Sequence, residues 1–196
     1  PNDRRSLLRR SDAIDPAARH AIWQDLITVQ ITMATLSALA VKADVAQERD
    51  CQAIVSGAAL AYGRIDALVN NAGMTMWARF EDIRDVSILE RIMQVNYMGS
   101  VYCTRHALPH LRASGGLVVG ISSLAGKTGV PTRTGYCASK HAMTGFFDAL
   151  RIELAGSGVD VTMVYPGFVA TGIRVNATGP DGLPIRVSPV KEGEVM

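Results

Sequence analysis

The sequence is short of the features that mark metal, nucleic-acid and membrane proteins. Cysteine is scarce: Cys51, Cys103 and Cys137 are the only three in 196 residues, and no two stand at metal-ligand spacing. An odd, scattered set argues against a disulfide framework and for a reducing compartment, so a cytoplasmic location is expected. His106 and His110 lie four apart with no second ligand pair close in sequence. That spacing reads as a helix face, and no metal site is expected. Neither sign of charge dominates, since 20 Lys and Arg face 18 Asp and Glu for a net +2. So small an excess does not point to nucleic acid. No long apolar run occurs either. Leu26 to Val41 is largely apolar but is broken by Gln30 and by several Thr and Ser. It falls short of the ~18–20 uninterrupted residues that a membrane span needs, and a buried element is the better reading. Arg4, Arg5, Arg9 and Arg10 are not followed at once by an apolar core, so residues 1–25 do not read as a signal peptide. Without a leader, the sequon at Asn176-Ala177-Thr178 reads as chance. There is no internal repeat and no low-complexity linker.

What is present is an ordinary globular balance, 48% hydrophobic and 19% charged. At this length it suits one domain with a sizeable core. Ala38 to Val45 reads as a strand ending at Asp44. Gln47 to Tyr62 follows with Ile54, Val55, Ala58, Ala59 and Ala61 at helical spacing, and Gly63 stops it. Ile65 to Asn70 is a short apolar run suited to a buried parallel strand, closed by a turn at Asn71-Ala72-Gly73. Residues 86–113 carry one apolar stripe and read as helix up to Gly115-Gly116. Leu117 to Ser122 is the next strand, about 135–155 the next helix, and Val159 to Tyr165 a further strand stopped by Pro166-Gly167. Strand and helix alternate throughout. That order predicts a doubly wound, parallel α/β sheet in a three-layer arrangement, with residues 172–196 an irregular flap.

Tyr136 and Lys140 stand four apart, so a helix places them on one face, one turn apart. The other tyrosines, Tyr62, Tyr97, Tyr102 and Tyr165, have Asp66, Val101, His106 and Val169 at that offset. A free Tyr titrates near ~10, and working near neutral pH asks for a drop of about three units, roughly 4 kcal/mol. A unit charge ~4 Å away at an effective dielectric of ~20 supplies about that much. A close Lys140 is therefore expected to make Tyr136 a proton donor and acceptor. Alone, the pair also fits an ordinary surface helix. Its company argues otherwise. Ligands bind outside the carboxyl ends of parallel strands, and Asp44, Asn70-Asn71-Ala72-Gly73, Ser122-Ser123 and Pro166-Gly167 all fall at such ends, with Asn96 in the helix between.

Five features taken together resemble the short-chain dehydrogenase/reductase family. They are Asn70-Asn71-Ala72-Gly73, Asn96 within Val95-Asn96-Tyr97, Ser123 thirteen residues before Tyr136, Tyr136-x-x-x-Lys140, and Pro166 through Thr171. The likeness runs from about Ala38 to Arg174. It implies a Rossmann-like fold and an oxidoreductase that uses NAD or NADP to interconvert a carbonyl and a secondary alcohol. By the resemblance, Tyr136 gives the proton to the carbonyl and Lys140 lowers its pKa and holds the nicotinamide ribose. Ser123 holds the substrate oxygen, and Asn96 places a water in a proton relay. Asn96 also reads as a helix kink or cap. Asp44 and Val45 are implied near the adenine, and Asn71, Ala72 and Gly73 along the adenosine ribose. Pro166, Gly167, Val169 and Thr171 are implied around the nicotinamide. Asp44 also fits a strand-end turn, and Thr171 a helix N-cap. Met74 to Trp77, Leu124, Val130, Phe168 and parts of 172–190 are implied to line the pocket with Ser123 and Tyr136, which suggests a small-molecule, apolar carbonyl or alcohol substrate. The two long helices imply a homodimer or homotetramer.

The family's pyrophosphate loop, Thr-Gly-x-x-x-Gly-x-Gly, does not occur in these residues. Residues 1–37 are therefore expected to be an atypical N-terminal segment before a single domain at 38–196. Leu26 to Thr35 could supply a substitute strand. The missing loop opens a second reading, a non-catalytic relative that binds cofactor weakly and serves as an interaction module.

Overall fold

The computed structural model describes residues 38–169 and 171–186. The expectations for residues 1–37, for Ala170 and for residues 187–196 lie outside that range. Helix α1 spans Glu48–Tyr62. Glu48 and Asp50 in its first turn suit the positive end of the helix dipole. Gly63 ends the helix in the left-handed region (φ 77°), and its N–H donates to the Ala59 carbonyl. Strand β1 is Ala67–Asn70.

One long helical stretch follows in three parts. Helix α2, Ser87–Met93, runs into a π segment at Gln94–Met98 and then into α3, Gly99–Ser114. The sequence predicts an even α-helix here. The π segment interrupts it where the Asn96 side chain is drawn to two distant partners, described below. Such bulges favour functional sites. Strand β2 is Leu117–Ile121, α4 is Thr134–Glu153 and β3 is Asp160–Val164.

The three strands are parallel in the order β1-β2-β3. Residues 38–44, read from the sequence as a strand, form no regular element. A strand needs a ladder partner for its N–H and C=O groups, and β1 is the edge of the sheet among the described residues. Aspartate at this point makes a local turn instead: Asp44 accepts the Ala46 N–H (2.9 Å), and the Asp44 N–H donates to Asp50 (2.9 Å).

Register explains the core. Leu68, Val118 and Val161 are aligned across the sheet, and all three are buried. They pack with Val55 of α1, Cys103, Ala107 and Leu111 of α3, and Met143, Phe147 and Leu150 of α4. Asn70 and Gly120 share that face. Asn70 donates to Thr104 of α3 (3.1 Å). A Cβ at Gly120 would lie 2.5 Å from Met163 Sδ and 2.9 Å from the Phe147 ring, so only glycine lets α4 sit this close. The described helices thus form one layer on one face. A smaller cluster of Met76, Ile88, Ile92, Ala125, Tyr136 and Cys137 wedges α2 against the start of α4. Gly135 makes that contact possible, since a Cβ there would meet Leu89 at 2.6 Å. This cluster fixes where the Tyr136 ring can be. No helix among the described residues is long and apolar enough to cross a membrane.

Candidate active site

The carboxyl ends of the three strands open onto one cavity of about 310 Å³. The segment after β1 contributes Asn71 and Gly73. Ser123 and Leu124 come from the end of β2, and Tyr136 and Lys140 from the first turns of α4. The loop after β3 adds Pro166, Gly167, Phe168, Val169 and Thr171.

Two adjacent serines divide the work at the end of β2. Ser122 is buried and donates to the Lys140 carbonyl (3.2 Å), which ties α4 to the sheet. Ser123 caps a short 3-10 turn at Leu124–Gly126 by accepting the Ala125 N–H (3.1 Å). Its hydroxyl also bonds toward Tyr136 and pulls that phenol's pKa down.

Lys140 is 3% exposed. Its Nζ donates to the Ile121 carbonyl (2.8 Å) and to Met143 Sδ (3.4 Å). Burial lowers its pKa from 10.5 to about 8. The ammonium lies 5.9 Å from the centre of the Tyr136 ring. Tyr136 itself is 8% exposed. Burial pushes its pKa above 10, against the smaller downward pulls of the Ser123 bond and the Arg133 charge. The sequence predicts the opposite, a Tyr136 pulled down by Lys140. Desolvation of the phenol outweighs the nearby charges, and the Lys140 ammonium is turned to the Ile121 carbonyl.

The model of the family described as "short chain dehydrogenase" matches residues 22–180 of this sequence. The chain belongs to that family. The match starts earlier than the likeness read from motifs, which begins at about Ala38. Among curated relatives, the 11-beta-hydroxysteroid dehydrogenase 1A of Arabidopsis thaliana is 40% identical over 153 residues, 78% of this chain and 44% of the relative. Dehydrogenase/reductase SDR family member 7B of Rattus norvegicus is 40% identical over 122 residues, 62% of this chain and 37% of the relative. The chain thus spans less than half the length of these relatives. Among solved structures, a short-chain dehydrogenase from Streptomyces avermitilis is 32% identical with a TM-score of 0.63, over 68% of this chain and 50% of that one. ElxO with NADP bound is 29% identical with a TM-score of 0.64, over 67% of this chain and 54% of that one. These likenesses establish the Rossmann-like α/β fold of the family.

Not every residue assigned by resemblance to this short chain dehydrogenase site reaches the cavity. Val45 is 1% exposed and packs against Gly99, where a Cβ would lie 3.0 Å from the valine side chain. Asp44 is exposed and occupied by its own turn. Neither lines the cavity, nor does Ala72. Asn96 is fully buried. Its Oδ1 accepts the Met74 N–H (2.8 Å), and its Nδ2 donates to the Met74 carbonyl (3.0 Å) and to Ser139 (2.9 Å). The amide therefore braces the segment after β1 against α4 and presents no free group to the cavity. Two residues escaped the sequence reading: Arg133 and Arg174 both line the cavity. The available signal was slight, a cation three residues before Tyr136 and another just past Thr171.

Proposed function

We propose that this chain carries the catalytic half of an NAD- or NADP-dependent oxidoreductase that interconverts a carbonyl and a secondary alcohol. One observation carries the reading: Ser123 from the end of β2 and Tyr136 and Lys140 from α4 line a single cavity with the segments that follow β1 and β3, at the carboxyl ends of parallel strands. The names of the relatives, hydroxysteroid dehydrogenases among them, and the NADP in one structural neighbour support it.

The residues fit the nicotinamide end of such a cofactor. Gly73 keeps space open, since a Cβ there would lie 3.3 Å from Asn96 Oδ1 and 3.7 Å from Lys140 Nζ. Lys140 would hold the nicotinamide ribose, with Asn71 and Gly73 along the neighbouring edge. Pro166, Gly167, Val169 and Thr171 would flank the nicotinamide. When bound, the reduced nicotinamide supplies a hydride. The protein's share is to meet the charge that then grows on the carbonyl oxygen. Ser123 and Tyr136 aim two donors at that oxygen, which stabilises the transition state more than the ground state. Tyr136 passes its phenolic proton to the oxygen to give the alcohol. A raised pKa suits this direction, because the phenol stays protonated at neutral pH. Leu124, Val130, Phe168 and Ile173 give the cavity an apolar side, which suits an apolar substrate body.

The experiment is a fluorescence titration with NADH and NADPH, followed by turnover assays on ketones. Binding with turnover that Tyr136→Phe removes supports the reading. No binding of either dinucleotide at millimolar concentration refutes it. The alternative is a non-catalytic interaction module, which would bind neither dinucleotide. The same titration separates the two.

A further inference from the structure

We infer that the cavity takes a carbonyl compound bearing a carboxylate, and that Arg133, assisted by Arg174, holds that carboxylate. The identity of the reacting carbonyl rests on the redox reading above; the anion site does not.

Arg133 is the N-cap residue of α4, three positions before Tyr136. Its guanidinium carbon lies 4.4 Å from the centre of the Trp77 ring. It lies 5.9 Å from the centres of both Tyr136 and Phe168. Arg174 approaches the same Phe168 ring at 5.3 Å. The ring neighbours offer no acceptor oxygen to the guanidinium edge except the Tyr136 hydroxyl, and a planar anion matches that fork with two parallel bonds. Arg133 Nε is buried and has no hydrogen-bond partner among the described residues. Neither arginine forms an ion pair with a described carboxylate. Lys140 lines the cavity with them.

Three cations face one cavity, and no described Asp or Glu lines it to balance them. Burial and, to a smaller extent, the charge of Arg174 both work against the Arg133 charge. A bound carboxylate would relieve both and would occupy the idle donor. Arg133 stacks on Trp77, Tyr136 and Phe168, the residues assigned to substrate, rather than on those assigned to the cofactor. The anion would therefore stand a few bonds from a carbonyl held at the Tyr136 hydroxyl. Leu124, Val130 and Ile173 leave the rest of the space apolar. The substrate class is thus a keto acid with an apolar chain, reduced at its ketone to the hydroxy acid.

The test compares β-, γ- and δ-keto acids carrying an apolar chain with their methyl esters, using the full chain and NADH or NADPH. The acid should be preferred in kcat/KM, and Arg133→Leu should lower the acid-over-ester ratio by about 30-fold or more. Arg133→Lys should recover part of the ratio, because it keeps the charge and loses the fork. Arg174→Leu should lower it less. Binding is read separately from turnover by quenching of Trp77 in a Trp23→Phe background. Equal rates for acid and ester, or an Arg133→Leu that slows both alike, would overturn the anion site and spare the redox reading. So would an Arg133→Leu that weakens dinucleotide binding and leaves the ratio intact. Carboxylate quenching that Arg133→Leu abolishes, in a chain that never turns over, would uphold the anion site and sink the redox reading. Neither quenching nor turnover would sink both.

Discussion

The two ends of the sheet handle charge in opposite ways. At the amino end of β1, charges are exposed and paired with a neighbour: Arg64 Nε donates to Asp66 at 2.9 Å, with both side chains more than half exposed. The backbone there is packed tight. The Asp66 carbonyl accepts the Leu117 N–H, the Gly116 carbonyl accepts the Asp160 N–H, and a Cβ at Gly116 would lie 2.6 Å from the Asp66 oxygen. At the carboxyl ends a cavity is kept open instead. Lys140 and Tyr136 are buried with shifted pKa values, and Arg133 Nε is buried with no described partner. A fold tolerates buried charge where something is to be bound, and such perturbed groups mark functional sites. The amino end of β1 is packed closed, and the carboxyl ends hold the groups that the proposed function would use.

That contrast can be broken most directly at Tyr136. Tyr136→Phe should cut kcat/KM for ketone reduction by about 10³-fold with the dinucleotide Kd unchanged; retained turnover would strip Tyr136 of its role. Next comes the buried lysine. Its folded pKa of about 8 lies below the unfolded 10.5, so between those values the unfolded chain binds more protons and stability rises with pH. The cost of burying the ammonium is present in full below about pH 8 and is worth about 3 kcal/mol at most. Tyr136, shifted upward, acts in the other sense above about pH 10, so the usable window is about 8 to 10. Denaturant titrations across that window should show the rise, and Lys140→Met should flatten it; a flat native profile would contradict a buried, depressed lysine.

Ser123→Ala should cost about 10²-fold in kcat and about 1 kcal/mol in stability, since one oxyanion donor and the cap on the Ala125 N–H are lost together. Gly116→Ala, at the other end, should act on folding alone. Overpacking against backbone should destabilise by about 1–3 kcal/mol in denaturant unfolding, with dinucleotide affinity retained. If it weakened dinucleotide binding as strongly as folding, the two ends would not be separable. Smallest is Arg64→Ala: an exposed pair next to the sheet should give no resolvable change in Tm.

Much of the framework was legible in the chain because local rules set it. The runs around Leu68, Val118 and Val161 read as buried parallel strands, and Gly63 marked the end of α1 where the structure puts it. Helical spacing paired Tyr136 with Lys140, the family resemblance added Ser123, and the three line one cavity. The strand read over Ala38–Val45 was not found, since extended propensity cannot supply a ladder partner. The π segment at Gln94–Met98 was hidden because its cause lies at Met74 and Ser139, remote in sequence. Arg133 and Arg174 were missed for the same reason, as the rings they stack on come from three separate segments.

The order of amino acids determined the family, the parallel α/β plan and the placing of Tyr136 and Lys140 one helical turn apart. All of these follow from spacing, and spacing is a property of the chain itself. Tertiary structure alone decided that burial, not the lysine, sets the direction of the Tyr136 pKa, that Asn96 braces rather than faces the cavity, and that two arginines with no described carboxylate partner line the cavity with the phenol. Desolvation and charge balance depend on what surrounds a group in three dimensions, and no local pattern carries that information.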